Sequence, residues 1–357
     1  MSDYYINLMN QSIKKLFRNA LQISIKDPRL AVFIVKTIIA QNRAAKLRGQ
    51  MEQNGIHVPP FMIVSITKKC NLRCQGCYAL AQPANPEQEL SMARLKGIME
   101  EARELGTSIA LIAGGEPLTR PEFLDLCGAF PEIIFPFFTN GLLIQGELSA
   151  KIRRFRNLVP VISLEGYEDQ TDRRRGEGVY RRVLATMAQL KRRNIFFGTS
   201  LTITRQNFGS VTEGKFLRDL VDQGCKIFFF VEYVPVEEGT DELVLTDEQR
   251  KLLPELMVDL RRQYPALFIA FPGDEEAFGG CLAAGRGFIH INPEGNLEPC
   301  PFAPYTDTNL ANLSLKEALN SELLKAIREN HDQLTETKGG CALWEHREWV
   351  KSLIKAE

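Results

Sequence analysis

Between Pro59 and about residue 235, short apolar runs alternate with longer amphipathic runs, and this alternation leaves few folds open. The apolar runs, rich in β-branched and aromatic residues, fall at 61–66, 108–113, 133–138, 160–165, 196–203 and 227–234. The amphipathic runs lie near 92–105, 121–129, 146–156, 180–193 and 210–223. Strands separated by helices predict an α/β fold with a parallel sheet. Because such connections are right-handed, the six units either curl toward a barrel or form an open sheet. Functional loops then follow the carboxyl ends of the strands.

The loop after the first run holds Cys70, Cys74 and Cys77, spaced C-x3-C-x2-C, with Tyr78 directly behind. Thiolates hold iron–sulfur clusters, and soft sulfur ligands select iron–sulfur, zinc or copper(I) over hard cations. Cubane clusters normally take four cysteines, and no fourth is near, so one iron would stay open. Zinc is the competing reading. Structural zinc sites are closed and show paired C-x2-C halves or histidines, which this stretch lacks. Of the eight cysteines, three crowd into this motif, which is ligand usage rather than a disulfide framework. An oxygen-sensitive cluster implies a reducing compartment. With no secretory pattern and no bilayer-length apolar run, the expected location is the cytoplasm.

The 357 residues, 44% hydrophobic and 25% charged, suit a large domain with appendages. The expected division is a basic helical extension over 1–58, a barrel over 59–238 and a smaller tail domain over 239–357. Lys plus Arg and Asp plus Glu both number 44, so no global field points to a nucleic-acid partner. Locally the balance differs. The first sixty residues carry Lys14, Lys15, Arg18, Lys26, Arg29, Lys36, Arg43, Lys46 and Arg48 against Asp3, Asp27 and Glu52. They read as helices broken at Asp27-Pro28. Such helices pack on the outside of the barrel or form a dimer contact, or else lie peripherally on an anionic membrane.

The cysteine motif resembles that of the radical S-adenosylmethionine (radical SAM) superfamily. The resemblance implies a partial (β/α)6 TIM-like barrel and a [4Fe–4S] cluster on Cys70, Cys74 and Cys77. It also implies SAM chelated to the open iron, and an electron donor of the flavodoxin or ferredoxin type. Reductive cleavage of SAM would yield methionine and a 5′-deoxyadenosyl radical that abstracts hydrogen from substrate. The second strand ends in Gly114-Gly115-Glu116-Pro117, which matches the family's GGEP motif for the methionyl amino group. Thr139-Asn140-Gly141 after the third strand is similar to a recurrent T-N-G. Ser163 and Arg175 stand where family members reach the ribose and carboxylate of SAM, with Glu165 offering a further ribose acceptor. Leu201 and Thr202 on the fifth strand would flank the adenine. Tyr78 completes the expected cofactor-binding set.

The tail runs Cys281, strand, Pro293-Glu294-Gly295-Asn296 turn, strand, Cys300, with Cys341 further on. This resembles the opening of SPASM and twitch extensions, whose pattern is C-x(9–15)-G-x4-C. The resemblance implies one auxiliary [4Fe–4S] cluster on Cys281, Cys300 and Cys341 in a small α+β domain. A full SPASM domain has more cysteines, which leaves the fourth ligand open; His290 and His346 are both weak candidates, because a lone His beside strand residues reads as a satisfied core residue. Cys127 and Cys225 have no ligand spacing and read as buried hydrophobes. Enzymes with such tails modify peptides or proteins, so the expected substrate is a peptide; a small molecule, cofactor precursor or lipid is the alternative. A protein of another class, using its clusters for electron transfer or redox sensing, lacks a use for the Gly-Gly-Glu-Pro and Ser/Arg placements.

Overall fold

The computed structural model describes residues 3–24, 27–82, 86–271, 275, 278–334 and 341–354. Two long helices come first, α1 (Asp3–Ser24) and α2 (Pro28–Gln53). The strands that follow are β1 (Phe61–Ser65), β2 (Ile109–Ala113), β3 (Phe135–Thr139), β4 (Leu158–Leu164), β5 (Gly198–Ile203) and β6 (Ile227–Glu232). Beyond them lie β7 (Leu267–Phe271), β8 (Phe288–Ile291) and β9 (Leu297–Glu298). All nine form one sheet in the order β7-β6-β5-β4-β3-β2-β1-β8-β9. Strands β1 to β7 run parallel, with helices between them on the outer face; of the two forms that the alternation left open, this is the half-barrel that the resemblance implied.

The sheet does not stop at the sixth strand. Strand β7 extends one edge beside β6, and the tail hairpin is joined to the other edge, β8 pairing in parallel with β1 from Phe61↔Phe288 to Val64↔Ile291. Strand β9 then closes antiparallel on β8. The physical reason is the edge itself: an unpaired β1 would leave a row of backbone donors and acceptors open. All four β8 residues are buried. The Arg-rich stretch behind β4, which the periodicity left unassigned, forms a helix over Glu168–Arg175.

Side chains alternate across each strand, and the two faces carry separate cores. Outward-facing Met62 and Val64 pack with Ile98 and Met99 of the helix Met92–Leu105. Inward-facing residues near the amino ends of strands are also apolar, including Ile109, Val159, Val161, Ile227, Phe229 and Leu267, and a half-barrel has no inner layer of its own to cover them. Helices α1 and α2 supply it. Phe17, Ala20 and Ile34 are buried against those residues. The extension therefore packs on the concave face, not on the outside of the barrel as the sequence suggested. Polar fastenings fix α2 in place: Gln41 and Ser108 exchange hydrogen bonds of 3.2 and 2.6 Å, and Arg48 donates to the Gly106 carbonyl at 2.6 Å. Burial lowers the Arg48 guanidinium to about 10.

Candidate active site

The carboxyl ends of the strands surround a chamber of about 260 Å³. Its roof is the cysteine loop after β1, and its floor is a group of aromatic rings. Phe61 lies 6.4 Å from Phe271 and 5.5 Å from Phe288, and Phe138 lies 5.2 Å from Phe229. Pairs of this kind contribute about 0.5–1.5 kcal/mol each beyond their buried area. Of these rings, Phe138, Phe229 and Phe271 meet the core under α1 and α2, so the N-terminal helices close the chamber from below.

The roof loop is stitched to four neighbours. Gly115 N donates to the Thr67 carbonyl at 2.7 Å and Glu116 N to Lys69 O at 2.8 Å. Asn140 Nδ2 donates to Asn71 Oδ1 at 2.7 Å, Gln75 N to Arg174 O at 3.0 Å, and Gly76 N to Glu237 Oε2 at 2.7 Å. Two glycines make this possible. At Gly114, φ is +127° and a β-carbon would press on the Thr67 carbonyl. At Gly76, φ is +64° and a β-carbon would sit 2.5 Å from the Tyr233 hydroxyl. We expect Gly114→Ala to destabilise the protein by about 3 kcal/mol, since both the dihedral and the backbone approach are lost. Chemical denaturation checks this, and an unchanged midpoint would contradict it.

Cys70, Cys74 and Cys77 all line the chamber, Cys70 being exposed and the other two half-buried. Burial pushes the Cys70 and Cys74 thiols up, opposed at Cys74 by Arg175, whose Nη1 lies 3.9 Å from its sulfur. Among the described residues, no His, Cys, Asp and Glu side chains gather in threes as ligands of a single metal ion would. Thiolates that each take a different iron of a cluster need no such convergence.

The wall facing the loop carries most of the expected cofactor-binding residues. Gly114, Gly115, Glu116, Thr139, Asn140, Ser163, Arg175, Thr202 and Tyr78 all line the chamber. Glu116 is buried and makes three internal bonds: Oε1 accepts from Leu118 N at 3.0 Å and Thr139 Oγ1 at 2.8 Å, and Oε2 from Asn140 N at 2.7 Å. A carboxylate has about four acceptor positions, so one remains for an ammonium group. Burial raises the Glu116 carboxyl above its usual range, with the three hydrogen bonds and Arg175 opposing. Arg175 donates through Nε and Nη2 to Glu165 Oε1 at 2.8 and 2.5 Å. Burial alone would pull this guanidinium down, but Glu165 and Cys74 outweigh it and raise it.

Three expected contacts are placed elsewhere. Leu201 points outward into the helix-side core, because alternation along β5 turns Ser200 and Thr202 inward instead. Pro117 is buried at the start of a short 3-10 turn, off the chamber wall. Glu165 stands behind the wall, gripping both Arg174, at 2.6 Å, and Arg175. The periodicity missed Ser200, whose hydroxyl lies 3.2 Å from that of Ser163; reading every second residue of β5 would have found it. Glu232 and Tyr233 reach the wall from the end of β6.

Cys281, Cys300 and Cys341 line the same chamber. Burial raises Cys281 and Cys300 well above the ordinary thiol range, and Cys341 is among the groups pushing both further. The three thiols thus lie within one another's field. Gly339 and Gly340 fall outside the described residues. His290 is fully engaged, with Nε2 2.9 Å from Ser65 Oγ and Nδ1 2.7 Å from Glu298 Oε2, so it is not a spare ligand. Cys127 and Cys225 are completely buried, and burial raises Cys225 to about 12.

The residues present fit both groups that the cysteine loop implies. Three soft thiols on one loop suit a cluster with an open iron. A carboxylate with one free acceptor position, a guanidinium with unused N–H groups and a row of hydroxyls suit an amino acid joined to a ribose. Residues 64–212 match the model of the radical SAM superfamily. An AdoMet-dependent heme synthase from Methanosarcina barkeri is 25% identical over 321 residues, spanning 82% of this chain and 90% of that protein. The mycofactocin maturase MftC of Mycolicibacterium smegmatis is 27% identical over 314 residues, spanning 82% of this chain and 77% of that protein. Streptococcus suis SuiB bound to S-adenosylmethionine shares the fold, with a TM-score of 0.65 at 17% identity over 85% of this chain and 76% of that one. The stretch 64–212, which holds the cysteine loop and most of the half-barrel, is a radical SAM superfamily domain.

Proposed function

We propose that this enzyme modifies a peptide or protein, with Cys70, Cys74 and Cys77 as cluster ligands. Glu116 and Arg175 would hold the amino and carboxylate ends of SAM, and Ser163, Ser200 and Thr202 would face its ribose and base. Bound together, cluster and SAM supply a 5′-deoxyadenosyl radical for hydrogen abstraction. The chain's own residues do the rest. Glu165 fixes the Arg175 guanidinium, Asn140 ties the cysteine loop to β3, and the aromatic floor excludes water. Cys281, Cys300 and Cys341 would hold one auxiliary [4Fe–4S] cluster, with Glu275, also on the chamber wall, a carboxylate whose field reaches Cys281 and Cys300. An acidic flavodoxin or ferredoxin would deliver the electron in the reducing cytoplasm.

One observation carries the peptide reading: two separate cysteine sets open onto a single chamber that is apolar between them. The name of MftC states that this relative is a maturase, of mycofactocin. The heme synthase among the relatives gives the second reading, a tetrapyrrole. Tetrapyrroles carrying carboxylates need cations, yet the chamber's described cations are Arg174, paired with Glu165, and Arg175, which this reading gives to the SAM carboxylate. The test is anaerobic incubation of reconstituted protein with SAM and dithionite. We expect 5′-deoxyadenosine in step with cluster content. Protein with full iron that forms none would return the chain to an electron-transfer role.

A further inference from the structure

Helix α2 turns one stripe away from the barrel. Of the six large apolar side chains left exposed among the described residues, three lie on it: Val32 at 57%, Val35 at 45% and Ile39 at 65%. At about 100° per residue, these three fall on one arc with Lys36, Arg43 and Lys46. All three cations are exposed, and none makes an ion pair among the described residues. The opposite arc, with Ile34, Thr37, Gln41 and Arg48, is buried against the barrel. Helix α1 adds exposed Lys14, Lys15 and Arg18, and between residues 11 and 50 the sequence has one acid, Asp27, which is half-buried.

We propose that this stripe is a docking face for an anionic lipid surface, with Val32, Val35 and Ile39 entering the headgroup boundary and Lys36, Arg43 and Lys46 meeting lipid phosphates. An amphipathic face with apolar and basic members on one arc has that chemistry. No helix of the described residues is long and apolar enough to cross a membrane, so the helix lies on the surface. A second copy is a poorer occupant. A two-fold contact through the same face would set these cations against their own equivalents. An electron donor fits no better, because α2 covers the amino ends of the strands, whereas the cysteine loop lies at the carboxyl ends. Docked this way, the enzyme keeps its chamber mouth turned away from the lipid, open to a water-borne substrate.

The test is vesicle flotation of the full chain with phosphatidylcholine alone and with phosphatidylglycerol mixed in. Each cation near such a surface strengthens binding about fivefold, so three give about 100-fold preference for the anionic vesicles at low salt. The K36E/R43E/K46E variant is expected to lose that preference. The V32S/V35S/I39S variant should bind anionic vesicles about 10-fold more weakly. Circular dichroism melts establish that both variants fold. Equal recovery on neutral and anionic vesicles, or folded variants that float like the wild type, would overturn the proposal. So would a wild-type dimer, seen by light scattering, that the V32S/V35S/I39S change dissociates while no vesicle recovery occurs.

Discussion

Cys74→Ala is expected to leave the protein folded but without its SAM-binding cluster, and to lower 5′-deoxyadenosine formation at least ~1,000-fold, to the level of the uncatalysed background. Cys74 is half-buried on a loop held by hydrogen bonds from Gly115, Glu116, Asn140 and Arg174, none of which involves its sulfur. The loss is therefore chemical rather than conformational. Removing one thiolate of three leaves two irons of the cube open, and Arg175 loses the sulfur beside its Nη1. Iron and sulfide analysis alongside product assay checks this. Retention of a SAM-cleaving cluster in the variant would mean that another group supplies the ligand. Cys70→Ala and Cys77→Ala should behave alike, because each would bind a separate iron.

The second large effect concerns the tail. Fully reconstituted wild type should carry about eight irons, and the Cys281→Ala/Cys300→Ala/Cys341→Ala protein about four. Burial holds the Cys281 and Cys300 thiols well above their ordinary range, so the metal-free pocket strongly prefers them protonated. Thiolate ligation reverses that preference, so loading a cluster here would displace the thiol protons. The variant should still cleave SAM without its natural substrate, since Cys70, Cys74 and Cys77 are untouched. An iron count that stays the same in the triple variant would remove the auxiliary cluster and leave these cysteines as buried hydrophobes, like Cys127.

Much of the site was legible along the chain because its parts are local. A C-x3-C-x2-C loop after a strand, Gly-Gly-Glu-Pro after the next and Ser163 near the end of β4 each occupy a few consecutive residues, and parallel α/β topology brings strand ends together. The errors came where direction or distance decides. Leu201 was expected in the site, but strand alternation gives that face to Ser200 and Thr202. Glu165 was expected at the ribose, but it stands off the chamber wall, its Oε1 held by two arginines nine and ten residues later.

The sequence by itself determined the alternation of parallel strands with helices, the strand-end position of the cysteine loop and the motifs that resemble the superfamily's, because periodicity and short motifs are properties of neighbouring residues. Tertiary structure alone decided three things: that β8 completes the edge of β1, that α1 and α2 close the concave face, and that both cysteine sets open onto one chamber. Each depends on which apolar surface finds which partner across more than 200 residues of chain. That choice is made by packing and by the need to pair an open strand edge, and neither leaves a local pattern to read.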